Sequence, residues 1–417
     1  MQLGINRSII TPDMGLDLAG HGRPDRKAIG KYDDLYLTVL TLKQDDRKAI
    51  IICADLIGFG REIAKMLKQE IRDRFGYSEQ EVLLSASHTH SGPQTMENMS
   101  KFLGGMDINY ISFLTRTVLN SIKASIESME DVDIYKGKSY CDIGINRRLI
   151  LNGKCDFSPN EDGPVNKEVT VLKFIGKNGI KAVLFNYACH PSTLDTDFIS
   201  SDFPGEARRT VEEAYEGKVV TAFVQGCCGD IRVKTVKDGS FIAGTLEDVK
   251  IFGKELGNRV IEACNGGMEK IIPNLSTNLH RLNLHLQEIP SKHEFINIKE
   301  KNPMYQKVWA EQMLKDYESL KTEIPFAIQR ISIADDTMIV GMEGEICVTY
   351  GLNLKNKYAG KTVITAGYCN GMVGYIPTAA MFEQGGYEPD ESIACYSLPS
   401  RFTCDIEEII MCGLDKL

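Results

Sequence analysis

Two apolar segments of the chain end directly at histidines, and this feature restricts the folds that it can adopt. Residues 82–87 lead into His-Thr-His-Ser-Gly-Pro, where His88 and His90 are separated by one residue, and residues 180–187 lead into Cys189-His190-Pro191. Short apolar runs of this length are typical of buried strands. Because residues i and i+2 of an extended chain face the same side, the sequence predicts that His88 and His90 are directed at one point.

Predicted strands alternate with predicted helices along most of the chain, which favours an α/β fold with mixed β-sheets flanked by helices. A Gly-Lys-Asn-Gly turn between residues 169–175 and 180–187 predicts a β-hairpin, whereas residues 152–166, rich in Gly, Pro and Asn, are expected to form a loop. The other predicted strands are 35–42, 48–54, 82–87, 132–135, 219–225, 279–286, 327–333, 337–342 and 362–366, and the predicted helices are 62–75, 108–129, 204–216, 248–264, 304–323 and 346–357.

The composition indicates a globular protein, which we expect to form one large domain spanning residues 1–417. The chain is 43% hydrophobic and 25% charged, and a chain of this size readily buries a core. Length alone would also allow two or three domains. The sequence contains no repeat, low-complexity segment or obvious linker.

Charge and hydropathy argue against several classes of protein. A net charge of -9 and the lack of a Lys/Arg-rich run disfavour a nucleic-acid-binding surface. The apolar stretches are well short of the roughly 20 residues that cross a bilayer, and the first residues lack the pattern of a signal peptide. Twelve cysteines without a Cys-x-x-Cys pair indicate reduced thiols. We therefore expect a cytoplasmic protein without a membrane span, of unknown oligomeric state.

The histidines are candidates for a metal site. Neutral imidazole is the commonest metal ligand, and a His-x-His pair at a strand end is a frequent zinc-binding arrangement. Pro191 helps to fix the backbone beside His190. The alternatives are hydrogen-bonded surface histidines at 88 and 90 and an ordinary turn histidine at 190. His21, in an Ala-Gly-His-Gly turn, could line a pocket and is given no role.

A carboxylate follows another apolar strand. Residues 341–345 are Gly-Met-Glu-Gly-Glu, and because a helix is predicted from residue 346, capping of that helix is the alternative to a functional role for Glu345. The Gly-Cys-Cys-Gly-Asp turn at 226–230 matches no phosphate-binding pattern. Cys227 and Cys228 lack the sequence signature of a cysteine hydrolase and are interpreted as small buried residues.

Taken together, these segments resemble the N-terminal catalytic domain of the neutral/alkaline ceramidases, which hydrolyse the amide of ceramide with one zinc ion. The similarity extends from the N-terminal segment to about Tyr387, with the motifs in the family's order, at residues 85–93, 145–148, 190–202, 222–230, 344–345, 374–378 and Tyr387. The resemblance implies that His88, His190, Glu345 and Tyr375 bind Zn²⁺. It further implies that His90 lies near the metal, where it supports a ligand or handles protons, and that Arg147 and Tyr387 contact the scissile amide.

The chain departs from the family pattern at two places. Ceramidases carry a serine, proposed to act in amide cleavage, where this chain has Arg232, and a guanidinium cannot replace a hydroxyl nucleophile. They also carry a C-terminal β-sandwich domain for which 417 residues leave no room. Arg232 suggests a substrate with a carboxylate or other anionic group. The alternative is an internal ion pair of Arg232 with Asp230 or Asp202.

The sequence therefore predicts a zinc-dependent hydrolase that cleaves an N-acyl amide bond with metal-activated water. The expected substrate is a small N-acyl or lipid-like molecule, anionic if Arg232 binds it. Hydrolysis of an ester, a lactone or a cyclic amide at the same site is the second interpretation. A metal-stabilised binding protein without catalytic activity is the third.

Overall fold

Three large β-sheets form the framework of the protein. The computed structural model describes residues 1–23 and 25–417. In spatial order, the first sheet contains Val82–Ala86, Arg47–Ala54, Tyr36–Gln44, Gln2–Ile9 and Glu130–Asp131. The second contains Val220–Gln225, Gly179–Tyr187, Glu168–Gly176, Asp133–Tyr140 and Glu269–Lys270. The third contains Ser276–His285, Glu323–Ala334, Thr337–Met342 and Thr362–Ala366. Smaller sheets complete the fold. One has three strands, Ile231–Val233, Gly144–Leu151 and Lys154–Asn160. Three have two strands each, and they pair Gly30–Lys31 with Phe198–Ile199, Val236–Lys237 with Ser240–Phe241, and Glu345–Ile346 with Tyr375–Ile376.

One parallel pair of strands occurs in each large sheet, among antiparallel neighbours. The pairs are Arg47–Ala54 with Val82–Ala86, Gly179–Tyr187 with Val220–Gln225, and Thr337–Met342 with Thr362–Ala366. The carboxyl ends of parallel strands lie at the same edge of a sheet, where α/β proteins commonly bind ligands. Segments that follow these six strands converge in space, as described below.

The three sheets share one apolar core. Leu40 and Leu83 of the first sheet, Leu172 and Phe174 of the second and Ile339 of the third belong to the same fully buried cluster. Helices pack on other faces of the sheets; for example, Ile108–Glu127 contacts Gln2–Ile9 and Tyr36–Gln44, and Leu246–Asn265 contacts Glu168–Gly176. The α-helices are Arg61–Phe75, Ile108–Glu127, Asp202–Ala214, Leu246–Asn265, Lys292–Lys301, Met304–Lys315, Val348–Lys357, Ala379–Gln384, Ser392–Cys395 and Ile406–Leu414.

The predicted fold class of mixed sheets flanked by helices is confirmed, but two local predictions were wrong. Residues 152–166 are not a loop, because Lys154–Asn160 pairs with Gly144–Leu151 around a tight turn at Asn152 and Gly153. Both turn residues have positive φ, at 52° and 76°, which is the conformation that an Asn-Gly hairpin requires. The helix expected over 304–323 ends at Lys315, and a further helix forms at Lys292–Lys301. One domain over residues 1–417 stays a prediction.

None of the helices in the described part of the chain has both the length and the apolar character needed to span a bilayer.

Lys68 is a buried cation on the inner face of the helix Arg61–Phe75, with 6% of its surface exposed. Burial lowers the pKa of Lys68 from 10.5 to about 8, although Glu79 and Glu343 act in the opposite direction. Because the folded pKa lies below the unfolded one, the charged side chain destabilises the fold below pH 8, and this penalty is released as the pH rises toward 10.5.

We expect Lys68→Met to be more stable than wild type at pH 7, with the difference shrinking between about pH 8 and 10.5. Urea denaturation at several pH values measures this, and Lys65→Met, which alters an exposed lysine three residues away, is the control. A stability difference that does not change with pH would show that the charge on Lys68 is not its source.

Candidate metal centre

Three candidate ligands meet where the parallel strand pairs end. The Nε2 atom of His190 lies 2.9 Å from Oε2 of Glu345, and the Nε2 atom of His88 lies 3.3 Å from the same oxygen. All three side chains are buried, with at most 2% of each residue exposed. The Tyr375 hydroxyl is 3.5 Å from Nε2 of His190. The structure therefore brings together the four residues that the sequence comparison proposed as zinc ligands.

His90 belongs to the same cluster. Its Nε2 atom lies 3.2 Å from Nε2 of His88, and ligand atoms of His88, His90 and His190 all lie within 4.8 Å of one another. The Nδ1 atom of His90 is buried and has no hydrogen-bond partner among the described residues. Its position allows either direct metal ligation or the proton-handling role expected from the sequence.

Backbone carbonyls orient the other two imidazoles. Nδ1 of His88 donates to the carbonyl of Ile57 at 2.5 Å, and Nδ1 of His190 is 2.8 Å from the carbonyl of Cys228 and 3.1 Å from that of Ile231. Since a carbonyl can only accept, each Nδ1 carries a hydrogen, and Nε2 is the nitrogen that faces the cluster and is available as a ligand atom. Burial lowers the pKa of His190 to about 4, so its imidazole is neutral at pH 7.

Glu345 is held in its ionised form by its surroundings. Burial would raise the pKa of Glu345, but His88 and His190 outweigh it and lower this pKa well below its usual value. Tyr396 donates its hydroxyl hydrogen to Oε1, and the Tyr368 hydroxyl lies 3.4 Å from Oε2. The cluster thus combines imidazole nitrogens with an ionised carboxylate that is fixed in place.

The geometric reason given for the convergence of His88 and His90 was wrong. The strand ends at Ala86, and His88 has φ of 66°, in the left-handed region that costs a non-glycine residue about 1–2 kcal/mol. The two rings nevertheless lie 4.9 Å apart, in an edge-to-face arrangement. A strained turn, rather than an extended backbone, directs both rings toward the cluster.

The capping interpretation of Glu345 was also wrong. The helix that follows is Val348–Lys357, with Cys347 at its N-cap position. Glu345 instead belongs to a short strand that pairs in parallel with Tyr375–Ile376, with Glu345 directly opposite Tyr375. This pairing places the carboxylate and the phenol side by side, although 30 residues separate them in the chain.

Arg147 and Tyr387 both lie next to the cluster. The Arg147 guanidinium carbon is 5.3 Å from the centre of the Tyr375 ring and 5.4 Å from that of Tyr387. Nε of Arg147 donates to Glu388 at 2.8 Å, and its Nη2 atom is buried without a hydrogen-bond partner in the described chain. The Tyr387 hydroxyl is near Sγ of Cys395, at 3.8 Å.

Arg232 does not form the internal ion pair that was its alternative interpretation. Asp230 accepts hydrogen bonds from Asn146 and from the backbone of Val348, whereas Asp202 accepts from Thr193 and the backbone of Phe203. Nε of Arg232 is buried and unpartnered within residues 1–23 and 25–417. That interpretation was therefore wrong.

Sequence reasoning missed three residues that support the centre. Glu388 binds both Arg147 and Arg148, and Tyr368 and Tyr396 both approach Glu345. Glu388 directly follows Tyr387, which belonged to a recognised motif, so its carboxylate was the signal that could have been used. The two tyrosines lie outside the strands and matched motifs, and the sequence around them carried no comparable signal.

Two cavities open beside the cluster. One, of about 320 Å³, is lined by His88, His90, Glu345 and Tyr375 together with the largely apolar side chains of Met99, Phe102, Leu103 and Tyr305. The other, of about 490 Å³, is lined by His21, His90, Arg147, Ser192, Arg232 and Tyr387 among others. His21, which had no assigned role, thus does line a cavity. The two cavities share His90, Tyr375, Tyr387 and Glu391.

Comparisons of the sequence with a family model and with curated proteins point to the same family. Residues 1–244 match the family described as neutral/alkaline non-lysosomal ceramidase, N-terminal. Neutral ceramidase 1 of Arabidopsis thaliana is 25% identical over 228 residues, which make up 51% of this chain and 29% of that protein. Neutral ceramidase B of Dictyostelium discoideum is 28% identical over 221 residues, 46% of this chain and 30% of that protein. The matches thus span less than a third of the length of these relatives.

Solved structures show that the fold is shared over nearly the whole chain. The neutral ceramidase from Pseudomonas aeruginosa superimposes with a TM-score of 0.75 at 18% identity, covering 93% of this chain and 70% of that one. A ceramidase complexed with C2 superimposes with a TM-score of 0.77 at 16% identity, covering 98% and 75%. At such low identity the likeness concerns the fold alone.

Proposed function

Because this chain belongs to the neutral/alkaline non-lysosomal ceramidase family, we propose that it is a zinc-dependent hydrolase that cleaves the amide bond of an N-acyl compound. The observation that carries the proposal is the buried convergence of His88, His190, Glu345 and Tyr375 beside a cavity that three of them line. The names of the relatives favour an amide over an ester as the substrate bond.

The donor set fits a zinc ion. The Nε2 atoms of two imidazoles lie 2.9 and 3.3 Å from one oxygen of an ionised carboxylate, an arrangement that a bound cation would stabilise. Imidazole, carboxylate and phenol oxygen are borderline or hard donors of the kind that Zn²⁺ accepts. His88 and His190 also have the outer hydrogen bonds that ligating histidines nearly always make, whereas Nδ1 of His90 has none. This difference supports ligation by His88 and His190 and a proton-handling role for His90.

A zinc ion held by these residues would supply a Lewis acid and a water whose pKa is lowered from ~15.7 toward ~7. Nε2 of His90, 3.2 Å from Nε2 of His88, lies close enough to the centre to serve as the group that would take a proton from the attacking water and would return it to the departing amine nitrogen. Arg147 donates from Nη2 to the developing oxyanion, and Tyr387 packs against Tyr375 and closes the site beside it.

Metal removal combined with a substrate panel tests this function. We expect about one zinc per chain, and hydrolysis of N-acyl substrates that chelation abolishes and zinc restores, with an unchanged far-UV circular dichroism spectrum. A loss of secondary structure on chelation would indicate a structural metal site instead. Hydrolysis of esters but of no amide, ceramide included, would replace the amidase assignment by an esterase.

A further inference from the structure

The larger cavity beside the metal centre is lined by two arginines, each with a guanidinium nitrogen that lacks a hydrogen-bond partner among the described residues. Nε of Arg232 and Nη2 of Arg147 are both buried without hydrogen-bond partners, and both arginines line this cavity. Buried polar groups in native proteins are nearly always paired, so each unpaired group calls for an explanation. A ligand that enters the cavity and accepts these hydrogen bonds would provide one.

The position of Arg232 is fixed by aromatic rings rather than by an acid. Its guanidinium carbon lies 4.8 Å from the centre of the Phe241 ring and 5.9 Å from that of Phe157. Stacked in this way, the guanidinium keeps its hydrogen-bond donors available for an anion. The acidic residues of the cavity, Asp156 and Glu391, are solvent-exposed, and neither forms an ion pair with Arg232 within the described chain.

Arg147 adds to this positive charge. It shares the single carboxylate of Glu388 with Arg148, so that the group of three carries one net positive charge. Burial first, and then the proximity of Arg147, lowers the pKa of Arg232 to about 10, as expected when a cation is buried next to like charge. An anion bound in the cavity would offset this positive charge and stabilise the protonated form of Arg232.

From the unpaired guanidinium of Arg232, with the positive charge of Arg147 beside it, we propose that the larger cavity binds a carboxylate on the amine side of the scissile bond, so that the substrates are N-acyl amino acids. This inference rests on the proposed amidase function. The smaller cavity, with Met99, Phe102 and Leu103, is suited to the apolar acyl chain, and His90 and Tyr375 of the metal centre line both cavities. Water then adds its hydroxyl to the acyl carbon, the C–N bond breaks, and the amine nitrogen takes a proton. The products are a fatty acid and a free amino acid.

Substrate pairs of equal shape and different charge test the proposal. With N-dodecanoylglycine and the neutral N-dodecanoylethanolamine, we expect wild-type kcat/KM to favour the acid by roughly 10- to 100-fold, the range typical of one or two charge-assisted hydrogen bonds. Arg232→Met should lose most of this preference through a higher KM for the acid, and Arg232→Lys should retain part of it. Arg116→Met, at an exposed arginine on another face, is the matched control and should behave like wild type.

The outcomes separate this inference from the function on which it rests. If zinc-loaded enzyme hydrolyses both substrates equally, or if Arg232→Met keeps the preference, the carboxylate site is wrong and the amidase function stands. If neither substrate is hydrolysed, calorimetric binding of N-dodecanoylglycine to wild type and Arg232→Met decides. Binding that is weakened roughly 10-fold or more by the substitution supports the site without the activity, and equal binding or no binding overturns it.

Discussion

Replacing His190 with alanine is expected to lower the affinity for zinc by more than about 100-fold. Loss of a residue that only supports a ligand typically costs about 10- to 100-fold, and His190 is proposed as a ligand itself. Its Nε2 atom is the imidazole nitrogen nearest to Glu345, at 2.9 Å. Without it, the carboxylate and the remaining imidazole cannot complete a four-ligand shell. Competition with a chromophoric chelator measures the affinity, and the same preparation should show little hydrolysis even in excess zinc.

The matched control for this substitution is His293→Ala. His293 is exposed on the helix Lys292–Lys301, away from the centre. Its replacement should leave zinc affinity and activity as in wild type. An unchanged affinity in the His190→Ala protein would remove His190 from the ligand set and favour His90 in its place.

Replacing Glu388 with alanine should lower the free energy of unfolding by about 3–5 kcal/mol, because it leaves two buried guanidinium groups without a counterion. Glu388 has 2% of its surface exposed, and its two oxygens accept hydrogen bonds from Arg147 and Arg148. Burial would raise the pKa of Glu388, but the two arginines outweigh it and lower this pKa. Urea denaturation near pH 7 measures the loss.

The pH dependence provides a second readout for Glu388. Since its folded pKa is lowered, the ionised carboxylate contributes stability above its unfolded pKa of about 4.5, and this contribution is lost as the pH falls through the folded pKa. The stability difference between wild type and Glu388→Gln should therefore narrow in acid. Glu216→Ala, which breaks an exposed pair with Lys218, should barely shift the unfolding midpoint. A similarly small shift for Glu388→Ala would mean that the arginines find other partners.

The strands and their ends were the predictable part of this molecule. Strands such as Val82–Ala86 and Thr337–Met342 could be placed because each coincides with a short apolar run, which is visible in the local sequence. The residues that follow them, His88, His190 and Glu345, could then be assigned to one site by their resemblance to a family. The α/β fold class followed from the same strand and helix pattern.

The environment of each site residue was not predictable, since it depends on contacts between distant segments. Arg232 does not pair with Asp230, because Asn146 and the backbone of Val348 already donate hydrogen bonds to both oxygens of that carboxylate. The left-handed backbone of His88 reflects packing around the turn rather than any local preference of histidine. The hairpin at Asn152 and Gly153 could have been found, because Asn-Gly is a strong turn signal that the surrounding polar composition obscured.

The contacts that complete the centre join residues that are far apart in the chain. His190 meets Glu345 across 155 positions, and Arg147 meets Glu388 across 241. During synthesis, all three histidines of the cluster are made long before Glu345. Arg147 and Arg148 lack their counterion until Glu388 has been made. Such non-local contacts slow folding. A nascent chain can therefore form its first two sheets once residue 270 has been made, but all four proposed metal ligands are present only after residue 375.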